Sequence, residues 1–240
     1  MSLGPVTGMP RLALRKALSL PKEAGPSEDR WAVCPSAGRV ALCDGASEGW
    51  DGRGWAGSLS RSLARWGADS ATLGKARAAY TKTGRPDSAT PHWLDEKARA
   101  RGSWSTALLL ETGPQGRGAM VSAIGDTTLF VLDGFKLLLS FPMKAGDRFG
   151  STPDLVADTP AESLDPPFRR LRISLGSLHR PSHVLATDAL AARLLSRPGE
   201  EAGLFRFLRA ANADGFAEWA GGEVAAGRMA FDDLTLLWVG

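Results

Sequence analysis

Several residue types are scarce in this chain, and each shortage excludes something. There are 2 cysteines and 3 histidines among 240 residues. Cys34 and Cys43 lie in apolar runs without metal-ligand spacing or a secretory context, so buried free thiols are expected and a structural zinc site is not. No apolar run approaches the roughly 18 residues of a membrane span. The N-terminal stretch MSLGPVTGMPRLALRKALSL is interrupted by Arg11, Arg15 and Lys16, so no continuous signal-peptide core forms. A soluble, cytoplasmic protein is expected. Lysine is sparse beside arginine, and although the net charge is +3 the basic residues are dispersed among acids rather than gathered in a stripe. That argues against a nucleic-acid partner. The densest basic cluster, FRRLRISLGSLHR (168–180), alternates basic and apolar residues as a solvated strand face does, rather than a nucleic-acid patch; a contact with a phosphorylated protein substrate is a third reading.

What is present is enough apolar sequence, 43%, for one large domain. Residues 1–26 are punctuated by Gly and Pro and read as an arm or an edge strand, with the domain proper spanning 27–240. Trp31–Cys34 and Val40–Cys43 flank Pro35-Ser36-Ala37-Gly38 as a hairpin. From Gly54, the three- and four-residue steps of Trp55, Leu59, Leu63 and Trp66 predict an amphipathic helix with both tryptophans in the core. Helices are expected near Ser70–Tyr80, Leu94–Ala100, Ala189–Leu195, Glu200–Ala211 and Gly215–Ala226. Strands are expected at Trp104–Glu111, Ala119–Ile124, Thr128–Leu132, Phe135–Phe141, Leu171–Leu175, His183–Thr187 and Leu234–Val239. Asp133-Gly134 marks a tight hairpin. His92, in a polar loop, has no ligating partner at a useful step. The Pro-rich stretch 142–167 reads as a functional surface loop. Hairpin-rich strand blocks with helices between and after them point to antiparallel sheets covered by helices rather than βαβ winding.

Carboxylates recur at strand boundaries: Asp29 before WAVC, Asp44 after VALC, Asp126 before TTLFVL, Asp188 after HVLAT, and Asp232 before LTLLWV. Each alone has the ordinary explanation of a turn or cap. In ALCDGASEG, Gly45 is either part of a loop or a place where a ligand approaches the main chain. Were these strand ends to converge, the carboxylates would repel one another unless cations sat among them, and an all-oxygen donor set suits Mg2+ or Mn2+.

Five segments in order, SEDRWAVCPSAGRVALCDGASEG, GSWSTALLL, IGDTTLFVLDGFKLL, SHVLATDALAARLL and FDDLTLLWV, resemble the motifs of the metal-dependent protein phosphatases (PP2C-like), particularly the compact bacterial members. The resemblance runs from about Pro26 to Gly240. It implies an α+β fold, a four-layer α-β-β-α sandwich of two antiparallel sheets flanked by helices. It also implies a Ser/Thr phosphoprotein phosphatase that hydrolyses phosphomonoesters by in-line attack of a water bridging two Mn2+ or Mg2+ ions. By the same resemblance, Asp44 bridges the ions, the Gly45 carbonyl joins it on one, and Asp188 and Asp232 hold the other. Glu28 and Asp29 act through metal-bound waters.

The chain departs from the family pattern at four points. Ala189 follows Asp188 where glycine is usual. Ala192 stands where a third-metal aspartate would lie, leaving Asp126 without its partner, so two firm ions and a weak or absent third are expected. The phosphate-holding arginine has no match at Ala24, which leaves Lys22 to supply a point charge. Ala46 replaces a histidine found in some relatives. The alternative reading is a pseudophosphatase that keeps the sandwich and serves as a binding module for a kinase or signalling partner.

Overall fold

In the computed structural model the described residues are 12–83, 101–113, 118–149, 153–159 and 167–240. Among these residues the elements follow in the order β1 (Leu14–Leu20), β2 (Arg30–Cys34), β3 (Arg39–Cys43), α1 (Gly52–Trp66), α2 (Ser70–Thr83), β4 (Trp104–Ser105), β5 (Ala107–Thr112), β6 (Gly118–Ile124), β7 (Thr128–Asp133), β8 (Lys136–Phe141), β9 (Val156–Ala157), β10 (Arg169–Ser174), β11 (Pro181–Ala186), α3 (Asp188–Leu195), α4 (Glu201–Ala210), α5 (Ala213–Ala225) and β12 (Leu234–Val239). The helix expected near Leu94–Ala100, His92, and most of the turn at 113–118 lie outside the described residues.

The described strands form two five-stranded sheets, in the orders β1-β12-β11-β7-β8 and β10-β6-β5-β3-β2, and a separate small pair, β4-β9. Every pairing among the described residues is antiparallel. The period-2 alternation of strand side chains sorts the apolar residues into three cores. Val40, Leu42, Leu108, Leu110, Leu129, Val131, Leu185, Leu237 and Val239 meet between the sheets. On the outer face of one sheet, Ala41, Cys43, Ala107 and Leu109 pack against Trp55, Leu59 and Leu63 of α1 and Leu73 of α2. On the outer face of the other, Phe130, Val184, Leu236 and Trp238 pack against Leu190, Leu194, Phe205 and Phe216 of α3 to α5. Three apolar seams define four layers, helices, sheet, sheet, helices, which is the sandwich the resemblance implies.

Two local expectations need correction. Trp55 is fully buried, with its indole N–H donating to Val156 O at 2.8 Å. Trp66, however, is 39% exposed. It is the last residue of α1, and Arg65 and Lys75 lie over its ring instead of core side chains. Likewise Cys43 is buried but Cys34 only half so, because β2 is the outermost strand of its sheet; both thiols are free. The Pro-rich stretch holds a short strand that its sequence did not suggest, β9, which closes over β4.

Candidate metal centre

The site lies where ends of strands from both sheets meet. Asp44, Asp126, Asp188 and Asp232, together with Gly45, Ser47 and Thr106, line one cavity of about 290 Å³. Trp104 and, from the Pro-rich stretch, Pro153 and Leu155 also line it.

Three of these aspartates, Asp44, Asp188 and Asp232, are fixed by bonds to or from the main chain at a strand boundary. The Asp44 N–H donates to Thr106 Oγ1 at 3.0 Å, and the Thr106 N–H returns to Asp44 O at 2.9 Å. One residue further, the Ala46 N–H donates to Trp104 O at 2.9 Å, so the GSWST segment clamps both sides of Gly45. The Asp188 carboxylate accepts from the Ala189 N–H in the first turn of α3, a position where the helix dipole favours negative charge. Asp232 Oδ1 accepts from the Asp233 N–H at 2.8 Å.

Asp29 and Glu28 take different places. Asp29 is buried and accepts from Thr187 Oγ1 at 3.1 Å. Glu28 faces a neighbouring cavity with Ser47 and Asp233. Lys22 stands between the two groups, its Nζ 3.3 Å from both Glu28 Oε2 and Asp232 Oδ1 and bonded to Ser47 Oγ. Burial works against its charge, but Asp232 and Glu28 outweigh it and raise the ammonium pKa above the ordinary lysine value. Two residues outside the expected set organise this corner. Asp233 is buried and accepts from the Lys22 N–H at 2.7 Å and the Glu28 N–H at 2.6 Å, fixing the β1–β2 connection. Thr187 ties Asp29 to the Thr235 N–H at 3.0 Å. The Asp232-Asp233 doublet was the sequence signal for the first; Thr187 carried none, because a threonine before a helix reads as a cap.

Crowding shows in the proton affinities. Burial pushes the Asp29 carboxyl up to about 7, with Asp233 and Asp188 adding repulsion against hydroxyl contacts from Thr235 and Thr187. Burial and Asp188 raise Asp126 to about 6. Burial first, then Asp29, Asp188, Asp232 and Asp126, lift Asp44 well above the usual carboxylate range. Asp126 Oδ2 is buried without a hydrogen-bond partner. An all-oxygen donor set with uncompensated negative charge and an orphaned carboxylate oxygen suits hard divalent cations. Among the described residues, no three carboxylate, imidazole or thiolate groups close on one point at ligand distance. The Lys22 ammonium bridges Glu28 and Asp232.

These shifts set a pH dependence. A carboxyl with a folded pKa above its unfolded value of 3.8 stabilises the fold fully below 3.8, and that contribution is lost as pH rises through the folded value, here about 6 to 7. Metal-free protein is therefore expected to melt higher at pH 6 than at pH 8, by about 4–8 °C for about 2 kcal/mol. Buried His183, whose pKa burial lowers to about 4, opposes this only below its unfolded value of 6.5. Thermal melts with chelator across this range check it, and a melt that rises with pH would refute it.

No protein-family model matches the chain, and no curated protein sequence matches it. Solved structures do. The photosystem II phosphatase PBCP is 13% identical over 95% of this chain and 98% of its own, with a TM-score of 0.61. The serine/threonine phosphatase PstP/Ppp of Mycobacterium tuberculosis is 14% identical over 95% and 97%, with a TM-score of 0.60. The serine/threonine phosphatase Stp1 of Staphylococcus aureus is 12% identical over 95% of both chains, with a TM-score of 0.57. The chain thus has the PP2C-like phosphatase fold along nearly its whole length.

Proposed function

We propose that this chain is a Ser/Thr phosphoprotein phosphatase dependent on two Mn2+ or Mg2+ ions. The observation that carries the reading is the convergence of Asp44, Asp126, Asp188 and Asp232, far apart in sequence and drawn from both sheets, on one cavity. Asp44, Asp188, Asp232 and the Gly45 carbonyl would hold the ions, with Glu28 and Asp29 acting through waters and Asp126 facing a weak or absent third. When bound, such ions neutralise a phosphate and lower the pKa of water. The chain's own residues do the rest. Thr106 and Ala46 fix the Asp44-Gly45 backbone, Asp233 holds Glu28 in place, and Trp104, Pro153 and Leu155 wall the cavity. Lys22 is the residue for the substrate phosphate once Glu28 and Asp232 turn toward cations and release its ammonium. Among the described residues no helix is long and apolar enough to cross a membrane. A phosphorylated Ser/Thr protein in the cytoplasm, handled together with a partner kinase, fits this reading.

A second reading, a pseudophosphatase that binds a kinase or signalling partner, draws on Lys22: its ion pairs with Glu28 and Asp232 partly neutralise that corner. One assay separates the two. Release of phosphate from p-nitrophenyl phosphate and a phosphothreonine peptide is measured with Mn2+, with Mg2+ and with chelator. Turnover with either ion that stops on chelation is expected. Release no faster than that of Asp44→Ala in all three conditions would sink the enzyme reading.

A further inference from the structure

A second charged cleft lies along the first turns of α1. Arg30, Arg53 and Arg61 line it, with Gly54, Gly57 and Tyr80, in a volume of about 300 Å³. The pattern is built into α1: residues 53, 57 and 61 follow at four-residue steps, so they share one face of the helix. The middle position is glycine. A Cβ at Gly57 would lie 3.2 Å from Arg61 Nη1 and 3.6 Å from Arg30 Cγ. Arg30, arriving from β2, and Arg61 therefore meet over a gap that only the missing side chain leaves open.

Some guanidiniums elsewhere in the molecule have acidic partners, and others end on main-chain oxygens. Arg39 pairs with Glu111 at 2.6 Å, and Arg193 and Arg228 share Glu223. Among the described residues, Arg30, Arg53 and Arg61 pair with no carboxylate; Arg30 Nη1 donates only to the main-chain oxygen of Asp29, at 2.6 Å. The one acid in the cleft, Asp51, is committed, accepting from the Gly54 N–H at 2.8 Å and the Tyr80 hydroxyl at 3.0 Å. Three like charges in one small cleft repel one another, and an anion with several oxygens relieves them while matching the planar forks of arginine.

We propose that the cleft where Arg30, Arg53 and Arg61 gather over Gly57 is an oxyanion site that takes a phosphoryl group, separate from the carboxylate-lined cavity. It stands whether or not the chain turns over phosphate, since none of its groups is among the proposed metal ligands. The same chemistry is offered by free phosphate and by a phosphorylated residue of a protein.

The test is calorimetric titration of the full-length, metal-stripped protein at low ionic strength, where screening is weak. The ligands are inorganic phosphate, a phosphothreonine peptide and the same peptide unphosphorylated. Phosphate binding that weakens about tenfold or more in Arg53→Ala/Arg61→Ala is expected. Gly57→Ala weakens it as well, because Arg61 must move, while helix propensity keeps its melting temperature equal or higher. Tighter binding of the phosphopeptide than of phosphate identifies a protein-borne group as the occupant; equal binding identifies free phosphate. Absence of phosphate binding by the wild type at millimolar concentration, or an unchanged Kd in a folded Arg53→Ala/Arg61→Ala variant, would overturn the proposal. Should that double variant fail to fold, an unchanged Kd in Gly57→Ala overturns it alone.

Discussion

Asp44→Asn is expected to lower metal-dependent phosphate release by about a thousandfold or more and, in the same protein stripped of metal, to raise the melting temperature at pH 8. Both effects have one cause. Asp44 sits among Asp29, Asp126, Asp188 and Asp232, and burial with their repulsion holds its carboxyl well above the usual range. At pH 8 ionisation of this group opposes folding unless a cation compensates. The amide keeps the shape and the main-chain bonds to Thr106 while removing the charge. Relief of about 1–3 kcal/mol corresponds to a rise of about 2–12 °C for a chain of this size. Kinetics on p-nitrophenyl phosphate and melts with chelator read the two limbs separately. A variant that melts lower than wild type without metal contradicts the electrostatic account, and one that retains activity contradicts the assignment of Asp44.

Gly45→Ala is expected to destabilise the protein by about 3 kcal/mol, a drop of about 6–12 °C, even with metal present. A Cβ on Gly45 would lie 2.5 Å from Gly52 O and 3.1 Å from Glu28 O. Both are backbone atoms, at the start of α1 and just before β2, and neither can rotate aside. The alternative that a ligand approach accounts for this glycine predicts a different result, normal stability with weakened metal affinity. Denaturant unfolding with and without Mn2+ distinguishes them.

The sequence reading of Gly45 was therefore incomplete in an instructive way. Its position after a strand-terminal aspartate marked a place of special backbone. What demands the glycine is Gly52, seven positions on, which no local pattern connects to it. Trp66 shows the same limit: helical periodicity placed it on the apolar face with Trp55, but periodicity cannot say how far along the helix that face is covered. Asp233 and Lys22 were visible as charges, and only the meeting of β1, β2 and β12 turned one into a clamp and the other into a counter-ion.

The unbroken apolar runs VALC, ALLL, LFVL and LLWV marked strands without a polar face, and together with the amphipathic helices they determined the layered class of fold, because side-chain period is set by local backbone geometry. They also determined which carboxylates stand at strand ends. Convergence was decided by tertiary structure alone. Whether Asp44, Asp126, Asp188 and Asp232 face one cavity depends on the register of two sheets and the angle at which they stack, set by packing between residues more than a hundred positions apart. The gathering of Arg30, Arg53 and Arg61 was hidden for the same reason: the helix face is legible from its repeat, but the strand that brings the third arginine is chosen by the core beneath it.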